Sequence, residues 1–179
     1  MKYPFLLLCS LVLFASCKKN VDELPAATQT GANTFGAKLN GANWVPQKFG
    51  VVSTSPILEA RYAGNNSVFI NARDFSASPT ETEFEIYLKG ITGPGTFQLN
   101  QATAKYPDES ASYALYSKRK FMPVNDWITT PQYTGSVVVT RFDTVNHIIS
   151  GTFAFSAASI DNSADPIQVT DGRFDVTIQ

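Results

Sequence analysis

Two segments with a strict alternation of apolar and polar residues limit most strongly what this chain can fold into. In Thr82–Lys89, the apolar side chains of Phe84, Ile86 and Leu88 occupy every second position, and Arg173–Ile178 repeats the pattern. Successive side chains of a β-strand point to opposite faces, so each segment is predicted to be a strand with one face against a core. Both segments therefore favour an antiparallel β protein.

Turn-forming residues separate further β-rich runs. Asn40 and Gly41 lie between two such runs, and both residue types tolerate the positive φ angles of a two-residue hairpin turn. Ser136–Phe142 and His147–Phe155 flank a short connection, which predicts a long hairpin.

The pattern as a whole predicts one all-β domain over residues 34–179. About nine or ten short strands at regular spacing are typical of a single antiparallel β-sandwich, with a flattened β-barrel as the alternative. The one candidate for a helix, Gln101–Tyr116, is interrupted by Pro107, which disrupts helices. A hydrophobic content of 44% is enough for a sizeable core.

The N-terminus has the composition of a signal peptide. Lys2 precedes an apolar run, Phe5–Ser16, which ends in small residues directly before Cys17. This run is shorter than the roughly 20 apolar residues that cross a bilayer as a helix. We therefore expect residues 1–16 to be removed as a signal peptide.

Leu13–Cys17 resembles a bacterial lipobox, in which the cysteine is acylated and becomes the new N-terminus. The resemblance implies that Cys17 carries the lipid that anchors the protein in a membrane, and an ordinary secretory signal with an incidental cysteine is the alternative. Several acyl chains on one residue hold a protein to a membrane stably, whereas a single chain does not. Because Cys9 would leave with the signal peptide, the folded domain would contain no cysteine and no disulfide.

Residues 17–33 are predicted to be a lipidated, flexible tether with a reach of about 20 to 25 Å, since they contain few large apolar residues. Lys18 after the cysteine resembles the signal for sorting to the outer membrane. Lys19 followed by Asp22 and Glu23 resembles the export tags of surface lipoproteins in the Bacteroidota. These resemblances imply an outer membrane lipoprotein of the cell envelope, either periplasmic or surface-exposed.

The best candidate for ligand binding is a group of aromatic and basic residues in a segment that lacks a clear strand pattern. Aromatic faces stack on sugars, and cations pair with acidic substituents, so the group predicts a loop surface for an envelope glycan. It consists of Tyr116, Lys118, Arg119, Lys120, Phe121 and Trp127. The alternative is that the aromatic residues pack in the core beside a solvated basic turn.

Other residues give weaker indications of chemistry. His147 is the single histidine, and we expect it in an exposed turn where Asp143 could accept a hydrogen bond from its ring. Glu81, Glu83 and Glu85 are the candidate carboxylates of a glycan hydrolase, but Glu83 and Glu85 share the polar face of a strand, which predicts a solvated face. Asp161–Asp165 has oxygen-bearing side chains like the start of a calcium loop, but it lacks the central Gly and the distal Glu. No metal or cofactor is implied.

A possible modification site lies in the same turn as the histidine. Asp143, Thr144 and Val145 resemble the short acceptor for O-glycosylation in Bacteroidota envelopes, which implies a glycan on Thr144.

Residues 35–44, 149–155 and 170–176 are similar to small envelope lipoproteins of the Bacteroidota whose function is unknown. The resemblance implies a β-rich domain and an envelope location, and it brings no active site.

With 14 basic and 15 acidic residues, the chain has no charge excess that would favour nucleic acid. We therefore expect a lipid-anchored, non-catalytic binding or accessory module with a glycan or protein partner. An envelope glycan hydrolase and a structural subunit of an outer-membrane complex are the alternatives.

Overall fold

The computed structural model of the protein describes residues 21–48, 56–77, 79–120, 124–162 and 164–179, without the side chains of Lys120 and Val124. The expected signal peptide over residues 1–16, the lipidation site Cys17 and the candidate binding residue Phe121 lie outside the described residues.

The described residues form strands, turns and loops, with no α-helix among them. The strands are β1 Thr34–Leu39, β2 Ala42–Trp44, β3 Leu58–Tyr62, β4 Val68–Asp74, β5 Thr80–Leu88, β6 Gly95–Gln98, β7 Tyr113–Lys120, β8 Val124–Ile128, β9 Gly135–Asp143, β10 Ile148–Ser159 and β11 Pro166–Thr177. The segment before β7, which held the candidate helix, is a loop.

The eleven strands of the described residues belong to one antiparallel sheet, in which nine of them follow the order β2-β1-β11-β10-β8-β7-β5-β4-β3. The sheet branches at β10, because the first part of β10 pairs with β9 and its last residues pair with β8. β6 adds to the outer side of β9. The all-β prediction is confirmed, with eleven strands instead of nine or ten, and the strands join in a single sheet that curls into a half-barrel.

Both predicted hairpins are present. β1 and β2 are joined by Asn40 and Gly41, whose φ angles of 48° and 84° are the left-handed values that this tight turn requires. β9 and β10 pair along most of their length, from Ile148 opposite Asp143 to Phe155 opposite Gly135.

The concave face of the sheet holds the main core. Phe84 of β5 is fully buried at its centre, with its ring 4.7 Å from that of Trp44 and 5.0 Å from that of Tyr116. Phe35 and Phe153 also pack on Phe84, with ring centroids at 5.9 and 6.4 Å. Rings from distant parts of the chain therefore bring the strands together, as large aromatic residues commonly do in cores.

The opposite face of β4, β5, β7 and β8 is also covered. A second cluster packs there, formed by Phe69, Tyr87, Tyr113, Leu115 and Ile128. The loop before β7 lies over this cluster, and the Tyr106 ring packs at a tilt on that of Phe69, with their centroids 5.3 Å apart. Among the polar residues of β5 that point to this face, Glu83 is therefore buried, while Glu81 and Glu85 are partly exposed.

The two ends of the strand order approach each other and form a seam. Gln47, just after β2, makes a parallel bridge to Asp74 at the end of β4. Ala60 of β3 bridges Ile178, and the Gln179 amide donates to the Ala60 carbonyl at 2.8 Å. Isolated bridges at the seam thus link the two ends of the strand order without a continuous ladder.

Candidate binding site

Asp175 fixes the segment that precedes β1. Its carboxylate is buried and accepts hydrogen bonds from the Thr28 hydroxyl at 2.6 Å and the Thr30 amide at 2.9 Å. The amides of Gly31 and Ala32 donate to the same carboxylate at 2.8 and 3.1 Å. A single side chain of β11 thus orders consecutive backbone groups of the segment.

The carboxylate of Asp175 is held in its charged form. Burial by itself would raise its pKa, but the bonds from the hydroxyls of Thr28 and Ser150 and from backbone amides outweigh burial and lower the pKa. The sequence pattern placed Asp175 on the polar face of a strand and gave no indication of its partners in the N-terminal segment, because the Thr30 amide, for example, lies 145 positions away.

Other contacts hold the segment along its length. The Asn43 side-chain amide donates to the carbonyls of Val21 and Asp22, each at 3.0 Å. Pro25 packs so closely on β1 that a Cβ added to Gly36 would lie 2.7 Å from its Cδ. The sequence predicted a flexible tether over residues 17–33, but residues 21–33 lie against the domain because the side chains of Asp175 and Asn43 bind their backbone.

An apolar cleft of about 810 Å³ opens at the seam, beside this segment. Its walls come from the N-terminal segment, from the start of β1 and from the chain on either side of the seam. Apolar side chains make up most of its lining, which includes Val21, Leu24, Pro25, Phe35, Val45, Pro46, Pro56, Ile57 and Leu58.

A few polar groups accompany the apolar lining. Asp22, Glu23 and Lys48 are exposed and contribute to the cleft, while Asn33 and Gln47 add uncharged polar groups. Binding sites for small molecules commonly have volumes of about 300 to 1,000 Å³, with apolar walls and a small number of polar groups. The cleft has both properties and is the candidate functional site.

The group of aromatic and basic residues predicted to form a binding loop lies instead in two paired strands, β7 and β8. Trp127 and Tyr116 are opposite each other in this ladder, and both are buried, with 7% and 6% of their surfaces exposed. The Trp127 ring nitrogen donates to the Asp165 carbonyl at 2.8 Å. The prediction that Trp127 stacks on a sugar is therefore wrong, because the core covers its ring.

The basic residues of that group separate in the structure. Lys118 is exposed, whereas Arg119 forms an ion pair at 2.7 Å with Glu83 of the neighbouring strand. Only the backbone of Lys120 is described, and it pairs with Thr80.

Tyr116 and Lys118 do share a polar recess of about 400 Å³. The Trp44 ring nitrogen donates to the Thr82 hydroxyl in this recess at 2.9 Å. Burial raises the pKa of Tyr116, and the charge of Asp74 raises it further. A hydrogen bond with the Thr82 side chain partly opposes this increase. Aromatic rings, hydroxyl groups, one acidic side chain and one basic side chain therefore line this recess.

The prediction that Glu83 lies on a solvated face is wrong, because only 4% of its surface is exposed. Its carboxylate accepts a hydrogen bond from the buried Asn71 side chain and pairs with Arg119, and Arg73 lies 3.5 Å away. These cations and the amide occupy both carboxylate oxygens. The arrangement supports a structural role for Glu83 and opposes its use as a catalytic acid.

Glu85 lies two residues further along the same face. Burial raises its pKa, and the charge of Glu83 raises it further, while a hydrogen bond from the Tyr113 hydroxyl partly opposes them. This hydroxyl lies 3.2 Å from the Glu85 carboxylate and also accepts a bond from the Tyr106 amide at 2.8 Å. Glu85 is therefore half-buried beneath the loop over the second cluster.

The turn between β9 and β10 contains the single histidine and the predicted glycosylation site. His147 is exposed, as expected, but its ring contacts the Tyr62 hydroxyl at 3.4 Å. Asp143 instead accepts hydrogen bonds from Asn146 and from the Val145 amide. Thr144 is exposed in this turn, and its glycosylation stays a prediction.

Within the part of the chain that the structure describes, no group of three or more His, Cys, Asp or Glu side chains is arranged to hold a metal ion. The same residues contain no helix of sufficient length and hydropathy to cross a membrane.

The described residues define an all-β domain, built from one curled antiparallel sheet with an apolar cleft at its seam. Residues 32–176 match a family described as a domain of unknown function, DUF6252, and the chain belongs to this family. Comparison with the curated proteins found no match, and comparison with the solved structures found none.

Proposed function

We propose that this protein is a lipid-anchored, non-catalytic binding module of the bacterial cell envelope, with the seam cleft as its ligand site. The apolar cleft of about 810 Å³ carries the proposal, because a cavity of this size and lining suits a small, largely apolar ligand. The apolar run before Cys17 supports export and lipidation, and the Lys18-Lys19 pair that follows supports an outer-membrane location, periplasmic or surface-exposed.

The ion pairs of Glu83 support a non-catalytic role over glycan hydrolysis. A general acid or base must be free to exchange a proton with its substrate. Glu83 forms an ion pair with Arg119 at 2.7 Å, and its side chain is buried. Glu85 is shielded beside it, so this pair of carboxylates is poorly placed to flank a glycosidic bond.

A glycan remains the second candidate ligand, and the recess beside Lys118 favours it. Trp44 and Tyr116 are packed in the core and reach this recess only with small exposed parts of their rings, while Thr82, Asp74 and Lys118 offer hydroxyl, acceptor and donor groups. Polar groups of these kinds can bind the hydroxyl groups of a sugar. A glycan held in this recess would lose affinity on Lys118→Ala mainly at low salt, where exposed charges are poorly screened.

Lipidation is tested by metabolic labelling of cells with a fatty acid. The wild-type protein should incorporate the label, and Cys17→Ala should lose it and appear in the soluble envelope fraction. Label retained by Cys17→Ala would overturn the lipid anchor.

The ligand site is tested on the soluble Cys17→Ala protein with the apolar fluorescent probe 1-anilinonaphthalene-8-sulfonate. Leu24→Glu and Val45→Glu each place a charge in the cleft lining and should weaken probe binding at least about tenfold. Val145→Glu is the matched control, because Val145 is 84% exposed in a turn away from the cleft. Equal probe affinity in all variants would overturn the cleft as the binding site.

A further inference from the structure

We infer that the seam cleft holds an acyl chain of the lipid on the protein's own Cys17. The inference rests on the proposed function, since it requires that Cys17 be lipidated. It adds the identity of an occupant to the cleft and a second role to the lipid, which would fill a protein site as well as anchor the chain.

The distance along the chain supports an intramolecular occupant. Val21 lines the cleft and lies four residues after Cys17. Four fully extended residues span at most about 14 Å, so the first atoms of the lipid are confined to the neighbourhood of the cleft. A tethered group has a high effective concentration at a site within its reach, and an acyl chain of the same molecule is therefore favoured over a free one.

The anchoring of residues 21–33 maintains this proximity. Asp175 binds the Thr28 hydroxyl and the amides of Gly31 and Ala32, and Asn43 binds the carbonyl of Val21. If this segment were a free coil, the lipid would extend about 20 to 25 Å from the domain. The observed contacts instead hold its end at the cleft wall.

The lining of the cleft matches a hydrocarbon chain. Phe35 comes from β1, Val45 follows β2 and Leu58 begins β3, so apolar side chains surround the cleft from several elements. An acyl chain that moves from the bilayer into the cleft exchanges one apolar environment for another. The favourable free energy comes from the apolar lining of the cleft, which the acyl chain removes from water. The remaining acyl chains are left to anchor the protein, for which two chains suffice.

The experiment labels cells with a fatty acid that carries a photoactivatable diazirine near the end of its chain. After irradiation, the purified full-length lipoprotein is digested, and the peptides cross-linked to the label are identified by mass spectrometry. We expect cross-links to peptides that contain Phe35, Val45 or Leu58, all outside the lipid-bearing peptide. Leu24→Glu should reduce their yield several-fold, and Val145→Glu should leave it unchanged.

The outcomes separate the two proposals. If the wild-type protein takes up no label at Cys17, the lipid anchor is overturned and the inference falls with it. If the label is incorporated but cross-links form only to membrane lipids or to peptides away from the cleft, the inference alone is overturned. If cross-links to the cleft are as frequent in Leu24→Glu as in the wild type, the cleft is not the site. The Val45→Glu variant provides the same comparison where Leu24→Glu fails to fold.

Discussion

The Asp175 carboxylate accepts a 2.6 Å hydrogen bond from the hydroxyl of Thr28, which lies 147 residues earlier in the chain. This contact joins the segment before β1 to β11, next to the C-terminus. Because the same carboxylate also binds backbone amides of Thr30 and Gly31, it fixes the direction of the segment toward the seam cleft. One buried acid thus fixes where the N-terminal segment meets the wall of the cleft.

Asp175→Asn should lower the free energy of unfolding by about 2 to 3 kcal/mol, because a neutral amide offers one acceptor oxygen and leaves buried donors without a partner. Urea unfolding at pH 7 measures the loss. Asp171→Asn is the matched control on the same strand, since Asp171 is exposed and makes a surface ion pair with Lys38. A loss in the control as large as that in Asp175→Asn would contradict the role of the buried carboxylate.

The same bonds predict a pH dependence. The pKa of Asp175 is lowered in the folded state, so the charged form stabilises the fold above the ordinary Asp pKa of about 3.9. This stabilisation is lost as the pH falls through the folded-state pKa. The stability difference between wild type and Asp175→Asn should therefore be constant above about pH 5 and shrink at lower pH. A difference that grows on acidification would contradict this assignment.

Trp127→Ala should destabilise the domain by about 3 to 5 kcal/mol, because it removes a large side chain that is 93% buried. Trp127→Phe retains much of the packing on Tyr116 but loses the bond to the Asp165 carbonyl, so its cost should be smaller. Thermal unfolding followed by circular dichroism measures both. Wild-type stability in Trp127→Ala would contradict a core role for Trp127 and would make it a candidate for sugar stacking again.

The strands and tight turns could be predicted from the sequence because their causes are local. The alternation around Phe84 and the Asn40-Gly41 pair each act over a few residues, and both gave the observed elements. The single curled sheet depends on pairings such as Ala60 with Ile178, more than 100 residues apart. Such long-range pairings leave no mark in a local pattern, so the sequence favoured separate sheets.

The candidate site was harder to predict for the same reason. The cleft is formed by residues such as Val21, Val45 and Leu58, which occur in separate segments and carry no motif. Asp175 occupies a polar position of an alternating strand, yet it is buried and binds the N-terminal segment. Trp127 showed the converse, since an apparent loop of aromatic and basic residues proved to be paired strands.

Glu85→Gln should stabilise the protein at pH 7. Burial raises the pKa of Glu85 in the folded state, so the unfolded chain ionises first as the pH rises, and wild-type stability falls from about pH 4.3 up to the folded pKa. A glutamine does not titrate, and its side-chain oxygen still accepts the bond from the Tyr113 hydroxyl.

Urea unfolding between pH 4 and 8 measures this effect. The stability of Glu85→Gln relative to the wild type should rise with pH through this window. Glu81→Gln removes a carboxylate from the same face of β5 and is the control for the loss of one negative charge. A Glu85→Gln protein that is less stable than the wild type at pH 7 would show that the charged carboxylate contributes bonds that an amide does not replace.

Gly151→Ala should lower the free energy of unfolding by about 1 to 3 kcal/mol, because the added methyl group overfills a packed interior. Gly151 lies in β10 beneath Phe174, and a Cβ there would be 2.8 Å from Cζ of that ring and would also press on the Val138 carbonyl oxygen of β9. Gly93→Ala is the control, since a Cβ at Gly93 meets nothing within 4 Å. Alanine there should leave stability unchanged or raise it by about 0.5 kcal/mol, because it restricts the unfolded chain. Chemical unfolding of both variants makes the comparison. Equal stabilities would mean that β9 and β10 separate easily at Gly151, and that the close packing of this hairpin does not hold the half-barrel together.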